Sequence, residues 1–176
     1  MIKIGILGDI GSGKSYVAQN FGYPVFNADY EVAKLYRENK KIFNKLKRAL
    51  PNYIHTFPVD KNEITNAILA RESNLTKIIK IVHLEIRKKM NIFLKRNNKK
   101  KIVILDIPLL LENKINSKKD ILIFVESKRS DILKKLKKRK NFNKKLLKKF
   151  KEIQLSSNYK KKNLNLLLKI ILQKNL

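Results

Sequence analysis

Glycines and a lysine near the amino terminus form a pattern that binds phosphate groups. The pattern G-x-x-x-x-G-K-[ST] is met in full by Gly8, Asp9, Ile10, Gly11, Ser12, Gly13, Lys14 and Ser15. In such a loop backbone N–H groups surround a polyphosphate, and the positive end of the following helix adds to the attraction. Lys14 would reach the β and γ phosphates, and the Ser15 hydroxyl would hold Mg²⁺. The loop therefore predicts binding of a nucleoside triphosphate with Mg²⁺; a turn that only joins a strand to a helix is the alternative.

Two aspartates follow short apolar segments, at the carboxyl ends of predicted strands, where ligand-binding sites of parallel sheets commonly lie. Asp106 comes directly after the apolar run 102–105, and Asp29 comes shortly after residues 24–26. Phosphate-loop proteins commonly anchor the metal with an acidic residue that ends a neighbouring apolar strand, so we expect Asp106 to act with Ser15. Asp29 lies where loops at the carboxyl ends of strands form clefts. For both aspartates an ordinary role at a turn or helix terminus is the alternative.

Apolar runs of strand length alternate with helical patterns along the chain. The sequence predicts strands at residues 2–7, 24–26, 102–105 and 121–125. It predicts helices at 14–21, from 28, at 40–50, at 61–71 and at 74–96, a helical region at 128–157, and a last helix whose apolar face is Leu164, Leu167, Leu168 and Ile171. Strands separated by helices imply right-handed crossovers and a central parallel sheet. The predicted class is therefore α/β.

The composition excludes several classes of protein. A chain of 176 residues, 43% of them hydrophobic, is long enough for one domain or for a core with a small insertion. Because the chain has no cysteine, a disulfide framework, a thiolate zinc site and a cysteine nucleophile are excluded. We find neither a secretory signal nor an apolar run near the ~20 residues that span a bilayer. We therefore expect a cytoplasmic protein with no membrane partner.

The charge is strongly positive, with 42 basic and 14 acidic residues and a net charge of +28. Such a field attracts anions, including nucleic acid. Only seven of the basic residues are arginine, however, and the abundant Lys, Asn and Ile all have A/T-rich codons. Codon composition alone is therefore enough to give such a surface, and we expect no specific nucleic-acid partner. A nucleic-acid site in residues 134–151, with Phe142 and Phe150 available for stacking, is the alternative.

Four segments together resemble the dephospho-CoA kinase family. They are Gly8 to Ser15, Asn27-Ala28-Asp29, which is close to the Asp-Ala-Asp of the family, His83 to Arg87, and Asp106-Ile107-Pro108-Leu109-Leu110-Leu111-Glu112. The last segment, at this distance from the glycine loop, is the most specific. The resemblance covers about residues 1–157 and implies a P-loop kinase of the nucleoside-monophosphate-kinase-like group. It would use ATP and Mg²⁺ to phosphorylate the ribose 3′-hydroxyl of dephospho-CoA, the last step of CoA biosynthesis.

The same resemblance implies roles for individual residues and parts of the chain. Asp29 would be the general base, and Lys14 and Arg139 would act on the phosphates, with Arg139 in a lid. Residues expected to bind dephospho-CoA are Asp29, His83, Arg87, Pro108, Leu109 and Glu112. The implied architecture is a single three-layer α/β/α domain, with a nucleotide-binding core at 1–30 and 98–127, a helical acceptor-binding insertion at 31–97 and lid helices at 128–157. We expect a monomer or a weak oligomer.

The chain departs from the family pattern near both ends. Asp9 replaces a usual glycine in the phosphate loop, and Asn27 replaces the first Asp of Asp-Ala-Asp. After Gln154 the family continues with an Ala-Asp, a strand and an Asn-containing turn, whereas residues 158–176 are interpreted here as a shortened, atypical tail without the last core strand. This interpretation leaves two alternatives: an ATP-binding homologue with impaired catalysis, and a P-loop kinase acting on another small phosphate acceptor.

Overall fold

A computed structural model of the chain describes residues 1–138, 142–162 and 164–170. The described residues form two compact units. Unit 1 consists of the described residues within Met1–Asn27, Phe93–Phe142 and Ile153–Leu176, and unit 2 consists of Ala28–Ile92 and Asn143–Glu152. In the described parts of the chain, no helix is long and apolar enough to cross a membrane.

Unit 1 contains a sheet of five parallel strands. These are β1 (Ile2–Gly8), β2 (Val25–Asn27), β3 (Ile102–Asp106), β4 (Ile121–Ser127) and β5 (Leu166–Ile170). Their order across the sheet is β2-β3-β1-β4-β5, so β1 is central and pairs with β3 on one side and β4 on the other. The predicted α/β class with a central parallel sheet is confirmed.

The strands bury their side chains, which explains their continuous apolar sequences. Residues of β1, β3 and β4 form one buried cluster with Ala18 of helix α1 (Lys14–Asn20); they are Ile4, Ile6, Ile104, Ile123 and Val125. A parallel strand covered on both faces has no solvent-facing positions that would require polar residues. Unit 1 also contains helices α6 (Arg129–Lys137) and α8 (Ser157–Lys162).

Unit 2 is helical. It contains α2 (Ala28–Glu38), α3 (Lys40–Ala49), α4 (Lys61–Ala70), most of α5 (Glu72–Arg96) and α7 (Lys144–Glu152). Polar side chains at the N-caps set two of the starts: the Asn39 side chain accepts from the Ile42 backbone N–H at 3.0 Å, and Asp60 accepts from that of Asn62 at 2.8 Å. The helices predicted between residues 28 and 96 are therefore confirmed.

The end of the chain corrects two predictions. The predictions that the last core strand is missing and that a helix runs through Leu164, Leu167 and Leu168 are both wrong. Residues 166–170 instead form the strand β5, which pairs with β4. The remaining residue of that predicted helix, Ile171, lies outside the described residues. Leucines at those spacings fit a helical period, but a short apolar run also fits a strand, and periodicity alone does not separate the two.

Backbone pairing with β4 decides in favour of the strand. Asn165 donates its backbone N–H to the Leu122 carbonyl at 3.0 Å and accepts the Leu122 N–H on its side-chain oxygen at 2.8 Å. Without β5, the donors and acceptors along that edge of β4 would have no strand to pair with. The sheet therefore contains the last strand, which the sequence analysis predicts to be missing.

We expect the Leu168→Ala substitution to lower the free energy of unfolding by about 2 kcal/mol, because Leu168 packs against the buried cluster of the sheet. The matched control is Leu166→Ala in the same strand, where the side chain is 52% exposed and the expected change is below about 0.5 kcal/mol. Urea unfolding of both variants measures the difference. Equal effects at the two positions would contradict β5 as part of the core.

Candidate active site

The phosphate loop, which is the segment from Gly8 to Ser15, begins where β1 ends and leads directly into α1, as predicted. Gly8, the last residue of β1, has a φ of +146°, a region that side chains rarely adopt. A Cβ atom on Gly8 would lie 2.6 Å from the Val125 carbonyl oxygen and 2.7 Å from the Ser12 Oγ. Only glycine therefore fits at this position without moving either β4 or the loop.

Helix α6 and the end of β4 hold the loop in place. A Cβ atom on Gly11 would lie 2.9 Å from Leu136 and 3.1 Å from Ile132, so α6 approaches the loop backbone closely at this glycine. The Ser127 hydroxyl donates to the Ser12 carbonyl at 2.7 Å. The loop is thus fixed by neighbouring elements of unit 1 as well as by its own turns.

The polar groups of the loop fit a polyphosphate. The Lys14 ammonium donates to the carbonyls of Gly8 at 3.0 Å and Asp9 at 2.8 Å, which keeps its charge at the loop. Among the described residues, the buried Ser12 hydroxyl has no hydrogen-bond partner, although Ser12 is only 1% exposed. A phosphate oxygen is an acceptor that would satisfy this donor. Ser15 lies in the first turn of α1 and is half-buried.

Asp106 is the last residue of β3 and is 3% exposed. Its Oδ2 accepts a hydrogen bond from the Asn27 amide at 2.8 Å, across the register pair that joins β2 to β3. Asn27, which departs from the acidic residue of the family, therefore supplies a donor that orients the Asp106 carboxylate. Carboxylate and hydroxyl oxygens are the ligand types that Mg²⁺ prefers, so Asp106 and Ser15 fit that ion chemically.

The segment after β3 is tied to the chain that follows α7. The Pro108 carbonyl accepts from the Gln154 side chain at 3.5 Å. Glu112 Oε1 accepts from the Leu155 N–H at 2.9 Å and lies 3.0 Å from the Lys160 ammonium. The side chains of Lys160 and Glu112 are only 2% and 10% exposed. The direct contacts of Glu112 are thus with its own chain, and its role in acceptor binding stays a prediction.

Sequence reasoning missed Lys160. It lies in a run of three lysines, and nothing in the pattern separates it from its exposed neighbour Lys162. Its burial was hidden because the sequence interpretation placed residues 158–176 in an atypical tail. If the sequence had been interpreted as having a strand at 166–170, the helix before that strand would have been expected to pack beside the sheet.

Leu109 lies in the segment after β3, in unit 1, and the remaining predicted site residues belong to unit 2 or lie outside the described residues. Asp29 is exposed in the first turn of α2, two residues after the Asn27 that bonds Asp106. His83 and Arg87 lie one turn apart on α5. Burial lowers the pKa of His83 below its ordinary 6.5, and the nearby positive charge of Arg87 lowers that pKa further. Arg139 is not among the described residues, so its role in a lid stays a prediction.

Comparison with known proteins agrees with this geometry. A parallel sheet with a Gly-Lys-Ser loop between β1 and α1 defines the class of P-loop nucleotide-binding proteins. Residues 2–171 match the family model CoaE: Dephospho-CoA kinase. The chain therefore belongs to the dephospho-CoA kinase family, and this membership implies ATP as phosphoryl donor. The match extends beyond residue 157, where the resemblance in sequence was taken to end, and includes β5.

Individual relatives support the assignment. The dephospho-CoA kinase of Wolbachia pipientis wMel is 32% identical over 164 residues, which are 90% of this chain and 84% of that protein. That of Wolbachia sp. subsp. Brugia malayi (strain TRS) is 33% identical over 127 residues, 69% of this chain but just under two thirds (65%) of the relative.

Two solved structures share the fold. The crystal structure of TT1252 from Thermus thermophilus is 28% identical, with a TM-score of 0.78 over 97% of this chain and 88% of that one. The dephospho-CoA kinase from Campylobacter jejuni is 17% identical, with a TM-score of 0.62 over 97% of this chain and 89% of that one, and shows the fold alone.

The environment of His83 predicts a pH-dependent stability. A pKa lowered in the folded state means that the unfolded chain binds the proton more readily, so stability falls as the pH drops below the ordinary 6.5. We expect the wild-type chain to lose stability relative to His83→Gln between about pH 7.5 and about pH 5.5. Urea unfolding at each pH measures this difference. The control is His55→Gln, which removes the chain's other imidazole; equal behaviour of both variants would contradict the assignment to His83.

The buried pair of Lys160 and Glu112 predicts a large loss of stability when the cation is removed. Lys160→Ala leaves the Glu112 carboxylate buried without its ion partner, which should lower the free energy of unfolding by about 3 kcal/mol. The neighbouring Lys161 pairs with Glu126, but both side chains are about one third exposed (35% and 33%), so Lys161→Ala should cost less than about 1 kcal/mol. Urea unfolding compares the two.

A double variant separates the ion pair from simple loss of packing. Lys160→Met with Glu112→Gln removes both charges, while the glutamine oxygen still accepts from Leu155. We expect it to be more stable than Lys160→Met alone. A double variant as unstable as the single one would contradict the importance of the charge.

Proposed function

We propose that this chain transfers the γ-phosphoryl group of ATP to the ribose 3′-hydroxyl of dephospho-CoA, giving ADP and CoA. The bond between the γ phosphorus and the bridging oxygen breaks, and a bond from that phosphorus to the 3′ oxygen forms. The hydroxyl proton passes to the carboxylate of Asp29, and the electron pair of the broken bond leaves with ADP. Family membership supports this reaction, and the donor groups of the phosphate loop fit the phosphates of ATP.

The phosphate loop would hold the donor. Backbone N–H groups from Gly8 to Ser15 would contact the β and γ phosphates, and the Lys14 ammonium would exchange loop carbonyls for phosphate oxygens. Ser15 and Asp106 would hold Mg²⁺, which when bound neutralises charge on the phosphates. Arg139 would spread the charge of the transferring group from the lid.

The acceptor would be held by the residues that the family resemblance assigns to it. Asp29 would orient the 3′-hydroxyl for in-line attack and receive its proton. His83 and Arg87 on α5 would contact the acceptor, with the guanidinium suited to its phosphate groups. Pro108, Leu109 and Glu112 would line the acceptor side of the segment that follows β3.

One observation carries this proposal: Asp106 lies at the same edge of the sheet as the phosphate loop. Gly5 of β1 pairs with Leu105 of β3, so Asp106 comes one residue beyond that pair and Gly8 three. Asp106 also accepts a hydrogen bond from Asn27, and Asp29 follows Asn27 by two residues in the sequence. A loop for phosphates and a buried carboxylate at one sheet edge are the parts that phosphoryl transfer needs.

Two substitutions test the assigned roles in a coupled assay with ATP, Mg²⁺ and dephospho-CoA. Lys14→Ala removes a positive charge at the phosphates and should lower CoA formation by at least about 10²-fold. Asp29→Asn keeps the shape but removes the base, and should lower it by about 10²- to 10⁴-fold. Calorimetry should find that Asp29→Asn still binds ATP.

The controls address folding and the identity of the acceptor. Glu38→Gln changes an acid that is 49% exposed on the same helix as Asp29 and should keep CoA formation. AMP in place of dephospho-CoA should be a poor acceptor. Undiminished CoA formation in either test variant would refute the role given to that residue, and faster transfer to AMP would refute the acceptor.

A further inference from the structure

The acidic residue of the phosphate loop makes a contact that links the loop to α8. The Ser157 hydroxyl donates to the Asp9 carboxylate at 2.8 Å, across 148 positions of the chain. The Asp9 carbonyl accepts from the Lys14 ammonium at 2.8 Å and from the Ser12 N–H at 3.0 Å. Asp9 is thus held at its backbone by the loop and at its side chain by α8.

A carboxylate at this position is a difficulty for a loop that binds polyphosphate. Like charges repel, and the repulsion is strong at short range where water is excluded. A carboxylate with no partner would compete for the donors of this loop, which are the Lys14 ammonium and the backbone N–H groups that phosphate oxygens need. A donor on the other side of Asp9 removes this competition.

Helix α8 is anchored well enough to supply such a donor. Lys160 makes the buried ion pair with Glu112, and Lys161 pairs with Glu126 while its ammonium lies 5.7 Å from the centre of the Phe124 ring. Both contacts attach α8 to the rest of unit 1, which also contains the loop. Ser157, the first residue of α8, therefore meets Asp9 from a fixed position.

We propose that Ser157 is a positioning residue for ATP: its hydroxyl holds the Asp9 carboxylate on α8 and keeps this charge from competing with, or repelling, the bound phosphates. The inference rests on the proposed function, since it concerns the same nucleotide. It assigns a task to the C-terminal segment, and it explains how the chain accommodates an acid where the family usually has glycine.

Calorimetric titration with ATP and Mg²⁺ tests the proposal without any acceptor. Ser157→Ala should raise the dissociation constant for ATP about five-fold, because the carboxylate is released. In the assay for CoA formation the same variant should raise the KM for ATP while kcat stays near the wild-type value. Ser157→Thr retains the hydroxyl, so its dissociation constant and its KM for ATP should both stay near the wild-type values.

The decisive comparison is made in a second background. Asp9→Gly removes the carboxylate, so adding Ser157→Ala to it should change the ATP dissociation constant by less than about 1.5-fold, because contacts that no longer exist cannot couple. The matched control is Ser156→Ala, which removes the acceptor for the Tyr159 N–H at the start of α8 without touching Asp9. It should leave ATP affinity unchanged.

Three results would overturn the proposal: Ser157→Ala with wild-type affinity, a Ser157 effect of equal size without Asp9, or an equal effect from Ser156→Ala. If Ser157→Ala does not fold, Ser157→Cys, whose thiol is a weak donor, makes the same comparison. A wild-type chain that does not bind ATP would refute the proposed function together with this inference. A chain that binds ATP and makes no CoA would refute the function alone.

Discussion

Hydrogen bonding between parallel strands determines where the phosphate loop begins. β1 pairs with β3 on one side and β4 on the other, and its last residue, Gly8, lies opposite Val125. The Val125 carbonyl occupies the space that a side chain at Gly8 would need. A larger residue there would separate the strands or displace the loop, and either change would move Lys14 and Ser15. Sheet register and loop geometry therefore depend on each other, and the candidate site depends on both.

The segment after α7 completes this arrangement. It returns to the sheet edge as β5, and before that it contacts the phosphate loop through Ser157 and the segment after β3 through Lys160. Burying an ammonium is costly, and the cost is offset only because the Glu112 carboxylate lies beside it and also accepts from Leu155. One short helix thus contacts two parts of the candidate site.

Local patterns in the sequence predicted much of this, and distant contacts account for the rest. The loop, the strands before and after it and Asp106 are continuous patterns of a few residues, so they could be read directly. The sequence predicts a helix where β5 lies because leucines at these spacings fit both periods, and the pairing with Leu122 that decides between helix and strand is not local. Ser157 contacts Asp9 across 148 positions, and Lys160, which pairs with Glu112, is one of 35 lysines. Neither contact can therefore be predicted from a local sequence pattern.

The net charge of +28 and the charges of the site act over different distances. At physiological ionic strength, exposed charges separated by more than about 8 Å are largely screened. The many surface lysines therefore attract anions in general but do not determine where a phosphate group lies. A carboxylate inside the loop is different, because without a partner it would compete at hydrogen-bond distance for the same donors as the phosphates. Lysine can accumulate over the surface with little effect on the site, whereas one acid at position 9 requires a specific partner such as Ser157.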